Sequence, residues 1–289
     1  MKTTSHSMGK KRLFLGFLFV TAILTWSIFF AWPTKNLSVY LCDVGQGDAI
    51  FINSPSGFQM LIDGGPSNKV LECLKEAMPF WDRSINLVVS THPHADHLTG
   101  LLEVVKRYNV GQILSTDVVH TSPEFMEWLK LIQEKKIPME LSKDVKAIDL
   151  GDGAKADVLY PKESLKDKKI ENLNNASVVL KLDYSGVSFL FMGDLEKEQQ
   201  KRLLNSYLLN LKSTFLKVPH HGSKDALDDK FLELVSPKVA LISVGKNNYG
   251  HPAEITLKKL QNKEVEIKRT DKDGTVKVEV EKDGKWRIE

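Results

Sequence analysis

The order of apolar and polar segments in this sequence predicts an α/β fold of two mixed β-sheets that pack face to face, with helices on the outside. Two observations lead to this prediction. Short apolar segments typical of strands are followed by amphipathic segments typical of helices, and this order occurs twice along the chain. In both halves, histidine and aspartate residues directly follow an apolar strand, where a rigid scaffold holds them in position for a functional site.

The first half of the chain supplies four strands and three helices. Its apolar segments predict strands over residues 37–42, 49–53, 60–63 and 87–89. Its amphipathic segments predict helices over residues 70–78, 98–108 and 123–136. The segment 145–160 also has strand character and is broken at Gly151-Asp152-Gly153, whereas the charged segment 162–172 is predicted to be a solvated loop.

The second half repeats the pattern and ends in a hairpin. Strands are predicted over residues 177–182, 187–192, 215–218 and 239–244. Helices are predicted over residues 195–211, 225–235 and 253–261. Two Asp-Gly turns, at 273–274 and 283–284, flank an alternating segment and predict a terminal hairpin at the sheet edge.

The N-terminal segment has the composition of a membrane anchor. Residues 1–12 are polar and end in Lys10-Lys11-Arg12, and residues 13–32 are uncharged and strongly apolar. A helix of that length covers the ~30 Å hydrocarbon core of a bilayer. The basic residues predict a cytoplasmic N-terminus, a transmembrane anchor over 13–32 and an extracytoplasmic domain over 37–289. A cleaved signal peptide is the alternative, but its apolar region would be shorter and would end in small residues.

The composition sets broad limits on the chain. A length of 289 residues suits one domain, or one domain with a small appendage. A net charge of +3 neither indicates nor excludes nucleic-acid binding. Cys42 and Cys73 match no zinc-binding spacing, so we interpret them as two small buried apolar residues, with a disulfide outside the cell as the alternative.

The segment from Thr91 to His97 is the densest group of potential metal ligands. It carries the spacing H-x-H-x-D-H and follows the apolar strand at 87–89. Imidazole suits zinc, and carboxylate suits harder ions such as manganese. Two histidines separated by one residue, His92 and His94, could bind one ion, while Asp96 and His97 could face a second ion nearby. A histidine-rich surface loop that binds nothing is the alternative.

Other polar residues also lie at strand ends. Asp63 ends a strand before Gly64-Gly65, and we expect it to accept a hydrogen bond from a ligand histidine, with a turn-forming role as the alternative. Three further residues follow the first strand and are expected at the rim of the site: Asp43, Gln46 and Asp48.

These motifs carry a family resemblance. The segment 91–97 resembles the metal-binding motif of the metallo-β-lactamase superfamily. Six further segments resemble the C-terminal domain of ComEC-type competence proteins, which act in DNA uptake: 43–49, 63–65, 174–177, 193–194, 219–223 and 250–252. The resemblance covers residues 37–289, here behind one predicted membrane segment.

The resemblance implies an αββα sandwich with a two-metal centre that uses zinc or manganese. The first ion would be held by His92, His94 and Asp194. The second would be held by Asp96, His97, Asp194 and His220, with Asp194 as the bridge. We prefer His220 to His221 because it comes first after the strand, and we expect His221 to be a near ligand or a phosphate contact.

The sequence departs from the family pattern at one ligand. His120 is the only histidine between His97 and Asp194, and it lacks a strand-end setting. Asn175 stands near the expected place, and its amide is a weaker ligand, so one site is expected to be loose and to favour manganese.

The implied chemistry is hydrolysis by a hydroxide formed at the metal. No serine or cysteine lies in a nucleophile elbow, so the sequence offers no side chain of that kind as the attacking group. Asp96 would steer the hydroxide. His251 would donate to a phosphoryl oxygen or a leaving group, unless it only packs its loop.

The sequence thus predicts a membrane-anchored, extracytoplasmic metal-dependent phosphodiesterase that acts on DNA in a competence-related role. The alternatives are a cell-surface phosphodiesterase, a hydrolase of another ester or a lactam, and a metal-dependent DNA-binding accessory without catalysis. The expected partners are nucleic acid or another phosphodiester and the membrane, and the sequence identifies no protein partner.

Overall fold

The structure is a computed structural model that describes residues 5–30, 36–166, 168, 170–206 and 210–289. The chain divides into two compact units, residues 1–34 and residues 35–289. The first unit contains helix α1, Ser5–Phe30.

The second unit contains fifteen strands within the described residues. In chain order they are β1 Leu37–Leu41, β2 Ile50–Asn53, β3 Gln59–Ile62, β4 Ser84–Val89, β5 Asn109–Ser115, β6 Met139–Leu141, β7 Ala147–Gly151, β8 Ala154–Tyr160, β9 Val179–Tyr184, β10 Val187–Phe191, β11 Phe215–Lys217, β12 Val239–Ile242, β13 Glu266–Arg269, β14 Val276–Val280 and β15 Trp286–Ile288.

The helices of this unit follow strands in both halves of the chain. They are α2 Val70–Ala77, α3 Ala95–Arg107, α4 Pro123–Lys135, α5 Lys197–Ser206, α6 Asp229–Val235, α7 Glu254–Gln261 and the single turn α8 Thr270–Asp273. Short 3₁₀ turns cover Ser142–Asp144, Leu173–Ala176 and Pro219–Gly222.

The strands form two mixed sheets. The first has the order β15-β14-β1-β2-β3-β4-β5-β6, with β3 to β6 parallel. The second has the order β13-β12-β11-β10-β9-β8-β7, with β10 to β13 parallel. Apolar side chains from both sheets, among them Ile52 and Phe189, form one core between them. The predicted pair of mixed sheets is confirmed.

Helices cover the outer face of each sheet. Leu74, Leu101 and Trp128, from α2, α3 and α4, pack with side chains of the first sheet. Side chains of α5, α6 and α7, such as Phe231 and Leu260, pack with the second sheet. Because successive strand side chains point to opposite faces, each sheet contributes to two apolar layers. The architecture is therefore the αββα sandwich that the family resemblance implied.

The terminal hairpin is confirmed, whereas several element boundaries differ from the prediction, among them those of α5 and α6. Strands β14 and β15 pair antiparallel at the edge of the first sheet. Helix α6 begins at Asp229 because the side chain of Asp228 accepts hydrogen bonds from the N–H groups of Lys230 and Phe231, which caps the helix there. Helix α5 ends at Ser206, and residues 207–209 of the predicted helix lie outside the described residues.

The interpretation of the cysteines as unpaired residues is wrong. Cys42 follows β1, Cys73 lies on α2, and a disulfide joins them. Both side chains are buried, as expected, in the layer between the first sheet and its helices. The packing of α2 on this sheet brings together two residues that are 31 positions apart, and no local sequence pattern records that contact.

The N-terminal anchor is not supported by the part of the chain that the structure describes. Within that part, no helix combines the length and the apolar character that a membrane span requires. Residues 31 and 32 of the predicted span 13–32 lie outside the described residues.

Helix α3 packs backbone to backbone against the turn after β3. The N–H of Gly64 donates to the carbonyl of His97, and the N–H of Gly100 donates to the carbonyl of Gly65. A Cβ atom on Gly100 would overlap the carbonyl oxygen of Gly64 and would lie 2.6 Å from that of Ser67. Glycine at position 100 therefore allows the helix to approach the turn that carries Asp63.

Gly100→Ala should destabilise the domain because the added methyl group forces this helix and turn apart. We expect the free energy of unfolding to fall by about 1–3 kcal/mol, the usual cost of overpacking. Denaturant unfolding measures it, and Thr99→Ala, at a half-buried position of the same helix, is the control. Equal stability of the wild type and Gly100→Ala would contradict the described packing.

Candidate metal centre

The candidate site lies where strands of both sheets end. Asp63 follows β3, residues 91–97 follow β4, and Asp194 follows β10. His221 lies in the turn after β11. The strands β3 and β4 are parallel to each other, as are β10 and β11, so the residues from each sheet emerge at one edge. The packing of the two sheets brings these edges together.

Three residues that follow these strands, Asp63, His220 and His221, adopt left-handed backbone conformations. The φ angles are 57° at Asp63, 47° at His220 and 52° at His221. Such conformations are unfavourable for residues other than glycine by about 1–3 kcal/mol and persist where surrounding contacts hold them. Hydrogen bonds hold all three here. Asp63 accepts from the N–H of Thr91 at 2.8 Å, the N–H of His220 donates to Asp194 Oδ1 at 3.1 Å, and His221 donates to the carbonyl of Ser243 at 2.9 Å.

Four residues form a compact group of potential ligands: Asp96, His97, Asp194 and His221. One ligand atom from each lies within 4.8 Å of those of the other three. The Nε2 of His97 is 3.3 Å from Asp194 Oδ2, and the Nε2 of His221 is 3.2 Å from Asp96 Oδ2 and 3.7 Å from Asp194 Oδ2. We call these four residues the ligand cluster.

Hydrogen bonds orient both histidines of the ligand cluster. His97 donates from Nδ1 to Asp63 Oδ2 at 2.8 Å, and His221 donates from Nδ1 to the Ser243 carbonyl. Each ring therefore presents Nε2 to the cluster. This arrangement is typical of histidine ligands, whose second nitrogen is held by a carboxylate or a carbonyl. The expected contact between Asp63 and a histidine is present.

A divalent cation fits the ligand cluster. The Nε2 of His97 is buried and makes no hydrogen bond, although carboxylate oxygens surround it. Burial opposes protonation of His97, but Asp194, Asp63 and Asp96 hold its pKa well above the ordinary value. Burial likewise opposes the charge on His221, but Asp194, Asp48 and Asp96 raise its pKa to about 9. The carboxylates therefore favour positive charge at both Nε2 positions, which an ion would supply.

His92 and His94 lie beside the ligand cluster. The Nε2 of His92 is 3.1 Å from the Nδ1 of His94, and the ring of His92 is 4.2 Å from that of His97. Burial and the neighbouring His97 lower the pKa of His92 well below its ordinary value, so its ring is neutral and suited to bind a metal. The Nδ1 of His92 lies 3.3 Å from the hydroxyl of Ser177.

Lys217 is a residue of the site that sequence reasoning missed. Its buried ammonium group forms an ion pair with Asp48, donates to the Gly193 carbonyl at 2.9 Å and lies 3.6 Å from Asp194 Oδ1. The same Oδ1 accepts from the N–H of His220 at 3.1 Å. Asp194 therefore directs Oδ1 toward these donors and Oδ2 toward the ligand cluster. Asp48, which we expected at the rim, is buried and lies 3.4 Å from the Nδ1 of His221.

A signal for Lys217 exists in the sequence of β11. Phe215 points into the core between the sheets, so Lys217, two residues later, lies on the same face. A lysine on an apolar face requires a buried anionic partner, because an unpaired buried charge is very unfavourable.

The structure places His221, rather than His220, in the ligand cluster. Their successive left-handed conformations turn His221 inward, where its side chain is 1% exposed, while the side chain of His220 is 27% exposed. The Nδ1 of His220 lies 2.8 Å from Glu196 Oε1 instead. The preference for His220 took only the order of the two residues into account and not this turn, and the identity of the metal ligand stays a prediction. Glu196, whose pKa the hydrogen bond with His220 lowers, was also missed.

Asn175 does not take the place of the histidine that the sequence lacks, because its polar groups contact other residues. Its side-chain oxygen accepts from the N–H of Glu196 at 3.2 Å, and its carbonyl accepts from the Tyr160 hydroxyl. Ser177 is the residue of this segment that approaches His92. His120 contacts its own loop, where its Nδ1 accepts from the N–H of Ser122.

The remaining predicted residues lie around the centre. Asp43 is exposed and caps its own turn, and the side chain of Gln46 accepts from the N–H of Gly245 at 3.2 Å. The ring of His251 is 5.3 Å from that of His220. Burial, together with His220 and His221, lowers the pKa of His251 to about 4, so this ring is neutral at pH 7.

Comparison with curated proteins identifies relatives, one of which is named as a competence protein. The chain is 30% identical over 256 residues to ComE operon protein 3 of Bacillus subtilis, which covers 82% of this chain and 32% of that protein. It is 26% identical over 245 residues to Competence protein ComA of Neisseria gonorrhoeae, covering 84% of this chain and 32% of that protein. The chain spans about a third of the length of these relatives.

Comparison with solved structures shows the same fold. The metallo-beta-lactamase fold protein YhfI from Bacillus subtilis has a TM-score of 0.54 at 10% identity, over 88% of this chain and all of that one (100%). Igni18, a metallo hydrolase from the archaeon Ignicoccus hospitalis, has a TM-score of 0.52 at 18% identity, over 83% of this chain and 98% of that one.

A family model gives the assignment. The model of the metallo-beta-lactamase superfamily matches residues 42–246, which contain the whole ligand cluster. This match covers more than half of the 289 residues. The chain therefore belongs to the metallo-β-lactamase superfamily.

Proposed function

We propose that the chain is a metal-dependent phosphodiesterase that hydrolyses DNA in a competence-related role. The observation that carries the metal dependence is the ligand cluster, in which two oriented histidine Nε2 atoms face two carboxylates. DNA as the substrate is supported by the resemblance to ComEC-type competence proteins and by the relative named Competence protein ComA. An extracytoplasmic, membrane-attached location belongs to the proposal and rests on residues 10–32 of the sequence alone.

The proposed metal ligands fall into two groups. The ligand cluster would hold one divalent ion, and His92 and His94 would hold a second with Asp194. Zinc and manganese both suit these donors. A bound divalent ion lowers the pKa of a water molecule and polarises a phosphoryl oxygen, which makes hydrolysis possible near neutral pH.

The protein supplies orientation around these ligands. Asp63 and the Ser243 carbonyl fix the two rings that present Nε2, and Lys217 fixes the direction of Asp194. Preorganised donors of this kind require little rearrangement when the substrate binds.

Asp96 is placed to act on the attacking water. Its side chain is 36% exposed, whereas the other members of the ligand cluster are almost fully buried. Burial opposes its charge, but His97 and His221 lower the pKa of Asp96 below its ordinary value, so it is ionised at neutral pH. It therefore accepts a hydrogen bond from water at the open side of the centre.

His251 contributes a neutral ring to the substrate side. With a pKa of about 4, it does not carry a proton for transfer to the leaving group at pH 7. We therefore propose that the N–H of its neutral ring donates a hydrogen bond to a phosphoryl oxygen of the substrate.

The test of this function uses the purified chain with zinc or manganese and three substrates: labelled single-stranded DNA, bis(p-nitrophenyl) phosphate and nitrocefin. Cleavage of DNA and of the phosphodiester, abolished by a chelator, supports the proposal. Cleavage of nitrocefin alone would indicate a lactam hydrolase, and DNA binding without cleavage would indicate an accessory protein.

Substitutions in the ligand cluster should remove metal and activity together. We expect His221→Ala and Asp194→Asn to lose bound metal and to lower phosphodiester turnover by at least about 100-fold, because each removes a donor from the centre. His220→Ala is the matched control, since it changes the neighbouring residue of the same type outside the cluster. Elemental analysis and turnover measure both effects. Greater metal loss in His220→Ala than in His221→Ala would contradict the assignment.

The metal-free protein should lose stability as the pH rises. The folded state raises the pKa of His221 from 6.5 to about 9, so the stabilisation is fully present below about pH 6.5 and is lost as the pH rises through about 9. The raised pKa of His97 acts in the same direction. We expect the free energy of unfolding to fall by about 3 kcal/mol across this range.

Denaturant unfolding of the chelator-treated protein at a series of pH values measures this effect. His221→Gln, which has no titrating ring, should show a weaker pH dependence. A stability that rises with pH over this range would contradict the described charge balance.

A further inference from the structure

Tyr249 is an exposed aromatic residue on the loop between β12 and α7. This loop, residues 245–251, follows the strand end that carries Ser243, the acceptor for His221. Tyr249 is 76% exposed to solvent. Its ring therefore contributes little to the protein core. The contacts that hold the loop keep this ring in solvent.

The side chain of Asn247 fixes the backbone on both sides of Tyr249. Its oxygen accepts from the N–H groups of Tyr249 and His251, each at 3.0 Å. Its amide nitrogen donates to the carbonyls of Gly245 and His251 at 2.9 and 2.8 Å. One asparagine thus makes four hydrogen bonds within the loop, so Tyr249 is presented from an ordered backbone.

The loop is also tied to the candidate metal centre. The N–H of Gly245 donates to the side chain of Gln46, and the hydroxyl of the preceding Ser243 donates to the carbonyl of Gly47. These contacts fix the start of the loop against the segment that carries Asp48. The position of Tyr249 relative to the centre is therefore set by the fold.

A continuous series of rings leads from Tyr249 to the ligand cluster. Ring centroids are 5.7 Å apart for Tyr249 and His251, 5.3 Å for His251 and His220, and 6.1 Å for His220 and His221. The series begins in solvent and ends at a buried ligand of the cluster. A planar group bound against Tyr249 would thus lie at the solvent end of this series of rings.

We propose that Tyr249 is a specificity residue that stacks against an unpaired base of a nucleic-acid substrate while the adjacent phosphodiester reaches the ligand cluster; this inference rests on the proposed function. Stacking on an exposed aromatic ring suits every base, because each base has a π face. The stacked base must be unpaired and splayed from its neighbours, so single-stranded substrate is favoured over duplex.

Charge on nearby segments supports the binding of a nucleic-acid strand along this series of rings. Lys246 lies on the same loop, and Lys224 follows the His220–Ser223 turn. Both side chains are exposed, and neither forms an ion pair in the described part of the chain. Exposed cations on the loop that carries Tyr249 and beside the His220–Ser223 turn suit the phosphates that flank a stacked base.

The test compares two oligonucleotides of equal length, oligothymidylate and a fully abasic analogue, as substrates of the metal-loaded chain. Tyr249→Ala should raise KM for oligothymidylate about fivefold or more with little change in kcat, the effect of losing one stacked base. KM for the abasic analogue should not change. Tyr249→Phe should retain the wild-type preference, because it keeps the ring.

Phe80→Ala is the matched control. Phe80 is 77% exposed and lies in the loop before β4, at the edge of the sheet opposite the loop after β4 that carries the site. We expect its loss to change neither KM. Equal effects of Tyr249→Ala on both substrates, or no effect on either, would overturn the stacking role.

A binding measurement separates this inference from the proposed function. Fluorescence anisotropy of labelled oligothymidylate with the metal-free chain reports stacking without catalysis. Weaker binding by Tyr249→Ala than by Phe80→Ala supports the inference even if the wild type cleaves neither substrate. The absence of cleavage would contradict only the proposed function. Identical binding by the two variants would overturn the inference even if cleavage occurs.

Discussion

The structure depends on a group of buried carboxylates between the ends of two sheets. Asp48, Asp63 and Asp194 are each 1% exposed, and burial of an ionised carboxylate is very unfavourable unless positive charge or hydrogen-bond donors lie close by. Lys217 supplies a permanent cation, and His97 contacts both Asp63 and Asp194. The same carboxylates hold the pKa of His97 well above its ordinary value, so the group still favours additional positive charge. This charge balance is the physical basis of the metal binding that we propose.

The fold satisfies this demand by assembling the site from two sheets. Asp63 and His97 belong to the first sheet and its helix α3, whereas Asp194 and His221 follow strands of the second. The glycine contact between α3 and the turn after β3 brings His97 onto Asp63. The site therefore forms only when the two halves of the chain pack together, which couples formation of the centre to folding of the whole domain.

The sequence predicts those parts of the site that depend on local pattern. Apolar strands followed by Asp96, His97 and Asp194 predict the strand-end ligands, and the repeated strand-to-helix order predicts the two sheets. The choice between His220 and His221 depends on two successive left-handed residues, which the motif does not reveal. The alternation along β11 indicates that Lys217 needs a buried anionic partner, but it does not identify Asp48 as that partner. The disulfide likewise depends on a tertiary contact between distant segments that no local pattern records.

The most direct test of this account is anomalous X-ray scattering from crystals grown with zinc or manganese. The account predicts an anomalous peak within bonding distance of the Nε2 atoms of His97 and His221 and of the Oδ2 atom of Asp194, with any second peak beside His92 and His94. A peak bound between His220 and Glu196, with none at His97 and His221, would contradict it.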